Sequence, residues 1–373
     1  MAKKLCWMVS QLDYSKQFDQ LGQYLNNSEK YDFSYIFLNE NPPILYNQFK
    51  EKGMDVYYVQ YRSKKDVPSA IKQIYGIFKK IKPDIVHANL FEATFTGLIA
   101  ARLAGVKERI HTRHHSSESH LYYPKRAVYY DKLINSLSTK IVAVSDIVAE
   151  VLIKMDKVPS EKITVVSHGF MLEEMIAKEE LIPIVAKDYN LTDAYPVVGV
   201  VSRFVNWKGI QYVIPAFKEL LTDYPKAKLV MANARGNYSD QLRKRLKDEL
   251  NDDNYVIINI ERRIFELFKT FDVFVHVPIT KEVEAYGQVY IESLLLKVPS
   301  IFTISGIANS FIKDKENAVV VPHENTEAIY EAIKLMLSDE KLREKITENG
   351  YKDVWSRYHI NDMYKRLDEI YSS

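Results

Sequence analysis

The sequence predicts an α/β protein built of two doubly wound, parallel-sheet domains in tandem. Short apolar runs alternate with longer amphipathic ones along most of the chain, the pattern of strand–helix–strand units around a sheet covered on both faces. The alternation breaks once, at 172–196, and then restarts. With 373 residues the chain also exceeds what one hydrophobic core ordinarily serves.

In the first half, "LCWMVS" (5–10), "FSYIFLN" (33–39) and "DVYYVQ" (55–60) read as strands. The opening "MAKKLCWMVSQLD" turns polar after Val9 and has no small-residue cleavage site, so it reads as the first strand and not as a signal peptide. Between Pro68 and Lys82, Ile71, Ile74, Tyr75, Phe78 and Ile81 recur at helical spacing. "PDIVHAN" (83–89) is a short buried strand, and "ATFTGLIAARLAG" (93–105) a helix that Gly105 can cap. "ERIHTRHH" (108–115), "KIVAVS" (140–145) and "KITVVSHG" (162–169) complete the first set of strands.

The stretch 172–196 is charged, carries two prolines and shows no clear period, so it reads as the connection between domains. The expected boundaries are a first domain at 1–172, a linker at 173–196, a second domain at 197–355, and a C-terminal helix at 356–373 packing back on the first domain. In the second domain the runs at 197–202, 227–233, 255–260, 271–277, 298–304 and 317–321 read as strands. Val213, Phe217, Leu220 and Leu221 line one helix face. Ligands of such sheets bind beyond the carboxyl ends of the strands, and a cleft between two units is a natural place.

The bulk numbers exclude some functions. A formal net charge of +2 does not fit a strongly basic nucleic-acid binder. A single cysteine, Cys6, cannot form an internal disulfide and fits a reducing compartment, hence the cytoplasm. No run of eighteen apolar residues is long enough for a transmembrane helix. Glycine is scarce, 12 residues where average usage would give about 26.

Three stretches carry possible chemistry. In "KEVEAYGQVYIESLLLKVPSI" (281–301), Glu284 lies in a loop, Gly287 near a helix N-terminus, and Glu292 about a turn inside the helix. Free amides and the helix dipole there attract anions such as a diphosphate, while carboxylates on either side accept hydrogen bonds from ligand hydroxyls. The same spacing fits an ordinary helix start with solvated acids. In "SRFVNWKG" (202–209), Arg203 and Lys208 follow a strand end on the same sheet edge, where two fixed cations can neutralise a leaving diphosphate; two solvated loop cations are the alternative. "HTRHHSSESH" (111–120) holds His111, His114, His115 and His120 without any recognised metal spacing. A histidine at that strand end can bond a sugar hydroxyl, and the basic segment 107–126 can meet an anionic acceptor or a membrane surface.

Taken together, these residues resemble the retaining glycosyltransferases of the GT-B fold, family four. "EAYGQVYIES" resembles the E-x7-E signature, "SRFVNWKG" the arginine and lysine loop, and "PDIVHAN" with "HTRHH" the N-terminal segments, in order over nearly the whole chain. The resemblance implies two Rossmann-like domains facing a cleft, the first binding the acceptor and the second the nucleotide sugar. It implies that Arg203 and Lys208 hold the donor diphosphate, and that Glu284 contacts the transferred sugar beside the backbone of Tyr286, Gly287 and Gln288. It further implies that Glu292 binds the ribose, that the stretch 261–264 ending at Ile264 borders the base, and that His114 sits at the reacting centre with His115 as its rival. The implied chemistry is metal-independent transfer with retention, of a hexosyl or N-acetylhexosaminyl group. No cofactor is implied beyond the donor substrate, a UDP-sugar in the commonest case. The acceptor would be a glycan or lipid-linked hydroxyl in surface polysaccharide or glycoconjugate synthesis, with peripheral contact at the inner membrane face. A sugar-nucleotide epimerase or phosphorylase, or a non-catalytic binding partner, are the alternatives on the same fold. The chain departs from the family pattern in "SQLDYSKQ" (10–17), which lacks paired glycines, in His168 where asparagine is usual, and in Ser202 where glycine is usual.

Overall fold

The computed structural model describes residues 2–372 other than residue 124, as two compact units. One comprises Met1–Phe170 with Asn361–Ser373, the other Met171–Ile360.

The first unit is built on a seven-stranded parallel sheet. Its strands are β1 (Lys3–Ser10), β2 (Tyr31–Asn39), β3 (Asp55–Gln60), β4 (Ile85–Asn89), β5 (Glu108–Arg113), β6 (Lys140–Ala143) and β7 (Ile163–Val165). The spatial order is β3-β2-β1-β4-β5-β6-β7. The chain therefore winds outward in one direction from β1 and returns past it to continue in the other, so the switch point falls between β1 and β4. Central strands buried on both faces read as unbroken apolar runs, as Leu5 to Val9 and Ile36 to Leu38 do, all fully or almost fully buried. Helix Val67–Ile81 lays Ala70, Ile74 and Phe78 on one side of the sheet. Helix Phe91–Ala104 ends on Gly105 in the left-handed conformation. The loop without paired glycines makes its turn with Gln11, at φ 50°.

Helix Ile360–Ser372 groups with this unit. Tyr371 Oη accepts a hydrogen bond from Trp7 Nε1 at 2.9 Å and meets His87 Nδ1 at 2.6 Å. Asp368 accepts from Tyr31 and Lys30, and Tyr364 stacks on Tyr24. The aromatic residues of the tail are thus anchors in the core.

The second unit holds a six-stranded parallel sheet of β8 (Val197–Val201), β9 (Lys228–Ala232), β10 (Tyr255–Ile258), β11 (Val273–His276), β12 (Ser300–Phe302) and β13 (Val319–Val320). The order is β10-β9-β8-β11-β12-β13, with its own switch point between β8 and β11. Helix Ile210–Asp223 covers one face with Val213, Ile214, Phe217 and Leu220. Residues 173–196, expected as a linker, fall inside this unit. They contain two single 3-10 turns and helix Ile182–Asp188, elements too short to print a period on the sequence. The buried carboxylate of Glu266 fastens them by accepting from the Lys178 amide at 2.9 Å.

Candidate functional site

Each unit carries a cluster of polar side chains at the carboxyl edge of its sheet. In the second unit it begins with two loops drawn together by packing. Val205 and Trp207, from the loop after β8, and Val283, from the loop after β11, form a small buried cluster with Ile279 against it. The Ile279 amide donates to the Trp207 carbonyl at 3.1 Å. Gly209 follows, at φ 75°, where a Cβ would come within 1.9 Å of the Val277 carbonyl oxygen. Only glycine allows the loops to approach this closely.

This packing sets Lys208 against Glu284, 76 residues apart in sequence, and their side chains form an ion pair. Both side chains are mostly buried, at 12% and 14% exposure. The imidazole of His276, the last residue of β11, lies 3.4 Å from the same carboxylate oxygen and is itself buried. Burial pushes the Glu284 carboxyl up, but the Lys208 ammonium and the His276 ring outweigh it, and the group is held down at about 2. Glu284 is thus ionised at neutral pH and fixed between a cation and a ring that burial biases toward the neutral form.

Gly287 is the N-cap of helix Gln288–Leu295, at φ 87°. A Cβ there would meet the Tyr290 ring at 2.6 Å, so backbone conformation and space both call for glycine. The Gly287 and Gln288 amides have no backbone or side-chain acceptor among the described residues, as the first donors of a helix ordinarily do not. Tyr286 contributes only backbone, because its ring is buried and its carbonyl accepts from the Ile307 amide. Glu292, one turn in, accepts from Gln288 Nε2 at 2.8 Å, and burial pushes its carboxyl up to about 7. Arg203 is exposed just past β8, without a side-chain partner among the described residues. Ile264 opens helix Ile264–Phe268 and is part-buried. The structure therefore brings Lys208, Glu284, Gly287, Gln288 and Glu292 around one helix terminus. Sequence reasoning missed His276, signalled by a histidine closing an apolar strand. It also missed Gly306, where a Cβ would lie 3.0 Å from Glu284 Cγ.

The cluster of the first unit has a different character. His114, just after β5, lies with Nε2 3.3 Å from Asn89 Oδ1 at the end of β4. Its ring stacks on His168 with centroids 5.4 Å apart and planes 11° from parallel. His168 Nδ1 meets Gln17 Nε2 at 2.8 Å. These residues, with Trp7, Phe18 and Thr112, line a small cavity of about 30 Å³. Burial takes the His168 ring down to about 4 and that of His87 to about 3, and burial and the neighbouring histidines hold His114 far below its ordinary range. At neutral pH the lining is uncharged.

His115 faces elsewhere, with Nε2 3.1 Å from both oxygens of Asp131. It belongs to a buried ion network in which Arg113 meets Asp131 at 3.0 Å and Asp156 at 3.3 Å, and His120 meets Asp156 at 2.7 Å. Burial raises the Asp131 carboxyl, yet the hydrogen bond from His115 and the charge of Arg113 hold it down at about 2. His111 is paired with Ser138 Oγ at 2.8 Å. The four histidines of 111–120 thus take four separate polar partners, and no metal-ligating group of three or more His, Cys, Asp or Glu occurs among the described residues.

Residues 183–353 match the family described as glycosyl transferases group 1, and residues 18–174 match glycosyltransferase family 4. The chain is 25% identical to the capsular polysaccharide biosynthesis glycosyltransferase CapM of Staphylococcus aureus, over 91% of this chain and 96% of that one. It is 24% identical to the Escherichia coli UDP-Gal:alpha-D-GlcNAc-diphosphoundecaprenol alpha-1,3-galactosyltransferase, covering 82% and 78% of the two chains. The crystal structure of Anabaena HepE in complex with UDP-glucose superposes with a TM-score of 0.83 over 99% of both chains at 15% identity. The chain belongs to the group 1 glycosyl transferases, of GT-B fold.

Proposed function

We propose that this enzyme transfers a sugar, with retention of configuration, from a UDP-sugar to a hydroxyl of a glycan or lipid-linked acceptor in surface polysaccharide or glycoconjugate synthesis. The observation that carries the reading is the pairing of Lys208 with Glu284 beside the open amides of Gly287 and Gln288. A cation and a helix terminus meet charge that develops on a leaving diphosphate, and an ionised, fixed carboxylate accepts sugar hydroxyls.

In this reading Arg203 and Lys208 bind the diphosphate and Glu284 orients the transferred hexosyl or N-acetylhexosaminyl group. Glu292 accepts the ribose hydroxyls, and Ile264 borders the base. His114, neutral and aimed into the first unit's cavity, hydrogen-bonds the sugar near the reacting carbon. The acceptor proton passes to an oxygen of the leaving phosphate as the new glycosidic bond forms on the face the nucleotide leaves. Positive charge comes from the protein's own cations and the helix end, so no metal or other cofactor enters the scheme. UDP and the acceptor class rest on the named relatives, which include a UDP-Gal enzyme acting on a diphosphoundecaprenol-linked sugar and a neighbour holding UDP-glucose.

A hydrolysis screen over nucleotide sugars, with excess chelator present, tests the reading. One UDP-sugar should be turned over, releasing UDP and, in early NMR spectra, a sugar of the donor's own anomeric configuration. An inverted product refutes retention, dependence on a divalent ion refutes the metal-free scheme, and release of an epimerised sugar nucleotide without acceptor replaces transferase with epimerase.

A further inference from the structure

Three neighbouring strands of the second sheet each end in a loop that carries an exposed arginine. In the order β8, β9, β10, the loops present Arg203, Arg235 and Arg262, none with a side-chain partner among the described residues. Neighbouring strands lie about 4.8 Å apart, so the three residues stand in a row along the carboxyl edge of the sheet. A lone exposed arginine needs no explanation. Three side by side, on a chain whose formal net charge is only +2, are not a sample of a generally basic surface.

The loops are locked to one another. The Phe204 amide donates to the Arg235 carbonyl at 2.9 Å, the Tyr238 amide to the Phe204 carbonyl at 3.0 Å, and the Ala234 amide to the carbonyl of Ile258, the last residue of β10, at 3.1 Å. At Gly236 a Cβ would come within 2.1 Å of the Phe204 carbonyl oxygen, so a side chain there would push the first two loops apart. Phe204 and Ala234, the chain neighbours of Arg203 and Arg235, are buried, which fixes the backbone beneath each guanidinium. No acid on these loops is open to neutralise the row. The stretches 202–209 and 233–239 hold none. On the third loop Glu261 is claimed from within: it accepts from Tyr189 Oη, from the Arg263 amide at 2.8 Å and from Arg263 Nε at 3.2 Å, with its side chain 6% exposed. Asp240 is exposed, but it follows the second loop, in the first turn of helix Ser239–Glu249. Cations gathered on one edge without counter-ions among them raise the local concentration of an anionic ligand.

We propose that Arg235 is a further donor-binding residue, and that it meets the phosphate esterified to the nucleoside. The assignment rests on the donor reading above, which sets the diphosphate at Arg203 and Lys208 and the base beside Ile264. The loop of Arg235, after β9, lies between the loops that serve those two ends. The link from the sugar-side phosphate to the base crosses it, and the one charged group on that link is the nucleoside phosphate. When the bond between sugar and diphosphate breaks, charge develops on the oxygen of the sugar-side phosphate. The nucleoside phosphate carries the same charge before and during that step. A cation bound to it holds ground state and transition state equally, and so sets KM and not kcat. Lys208 and the amides of Gly287 and Gln288, at the leaving group itself, carry the opposite signature.

Calorimetric titration of UDP and of UMP into the full chain tests the proposal, with steady-state kinetics on the nucleotide sugar turned over in the hydrolysis screen. Arg235→Gln should weaken UDP and UMP alike by about tenfold, since both carry the nucleoside phosphate, with circular dichroism unchanged. It should raise KM by about the same factor and keep kcat, and Arg235→Lys should regain part of the loss. Arg243→Gln removes an equal charge from the following helix, where Arg243 Nη2 donates to Asn259 Oδ1 at 3.1 Å, and should leave UDP affinity within about twofold of wild type. An equal loss in Arg243→Gln would show a general field and no contact, and overturns the assignment. So does a fall in kcat with KM kept, which would move Arg235 to the leaving group. Absence of UDP binding by wild-type protein sinks the donor reading and this role together. Saturable UDP binding that Arg235→Gln leaves untouched sinks this role alone.

Discussion

The two units share a sheet architecture and place polar residues at the same edge of it, yet they handle charge in opposite ways. The second unit gathers ionised groups: Lys208 against Glu284, with His276 behind, and Arg203 exposed nearby. The first unit gathers histidines and strips them of charge, stacking His114 on His168 and burying His87. Its ionised groups, Arg113 with Asp131 and Asp156, are neutralised among themselves inside the fold. The same fold thus supplies an edge suited to a charged diphosphate and an edge suited to an uncharged, hydroxyl-bearing partner. The division is set by which side chains the strand-end loops carry, since ligand chemistry resides in sites grafted on a fold and not in the fold itself.

The largest expected effect falls on the charged edge. Glu284→Ala should lower turnover about a thousandfold, the scale of deleting a group that acts on the transition state, while circular dichroism stays native. Lys208→Met should do nearly as much and also lower stability, because it leaves the Glu284 carboxylate without its cation. The double variant Lys208→Met/Glu284→Gln should recover that stability, and additive losses in denaturant unfolding would refute the pairing.

At the neutral edge, His114→Ala should cost about a hundredfold in turnover with little loss of stability. His115→Ala should do the reverse, costing about 1–3 kcal/mol of stability by removing a hydrogen-bond donor from buried Asp131, with turnover nearly kept. Equal turnover losses from both would collapse the distinction drawn from their separate partners.

Acid separates the units further. A histidine held neutral by burial makes the folded state bind fewer protons than the unfolded one below the ordinary value of 6.5. Stability is therefore lost as pH falls through that range. For His87, held at about 3, the loss between pH 6.5 and 5 amounts to about 2 kcal/mol; His111, His114 and His168 act with the same sign. Glu292 acts with the opposite sign: its carboxyl is raised from 4.5 to about 7, so its contribution to stability falls as pH rises between those values. His276 of the second unit acts with the sign of the other buried histidines, so hydrogen exchange at pH 5 and pH 7 should show residues 2–170, with several such rings, losing more protection in acid than the second unit, where Glu292 opposes one. Uniform loss across both units would contradict the contrast.

The smallest effect concerns that carboxyl. Ribose hydroxyls favour the ionised form of Glu292, so nucleotide binding should release a proton near pH 7 and tighten as pH rises from 6 to 8. Glu292→Gln should abolish the proton release and weaken binding about tenfold, read by calorimetry in buffers of different ionisation enthalpy.

Much of this was legible in the sequence. Each of the thirteen apolar runs read as a strand overlaps one, because parallel strands, buried on both faces at the centre of a sheet, leave continuous hydrophobic stretches. Gly287 could be placed at a helix start because helix-forming residues follow it directly. What the sequence left open depends on distant contacts. That Lys208 is held by Glu284, and not free in water, follows from the packing of Trp207 with Val283, which no local pattern records. That His114 and not His115 lines the cavity follows from Asp131 claiming one and Asn89 the other. The segment at 173–196 was opaque because its helix is only seven residues long.

The proposed function gives Lys208, paired with Glu284, the further task of binding a nucleotide diphosphate. Calorimetric titration of UDP into wild-type protein and into Lys208→Met, at one pH and salt concentration, tests this most directly. Binding should be saturable in wild type and at least about tenfold weaker in Lys208→Met, with circular dichroism unchanged. Equal UDP affinity in the two proteins would contradict it.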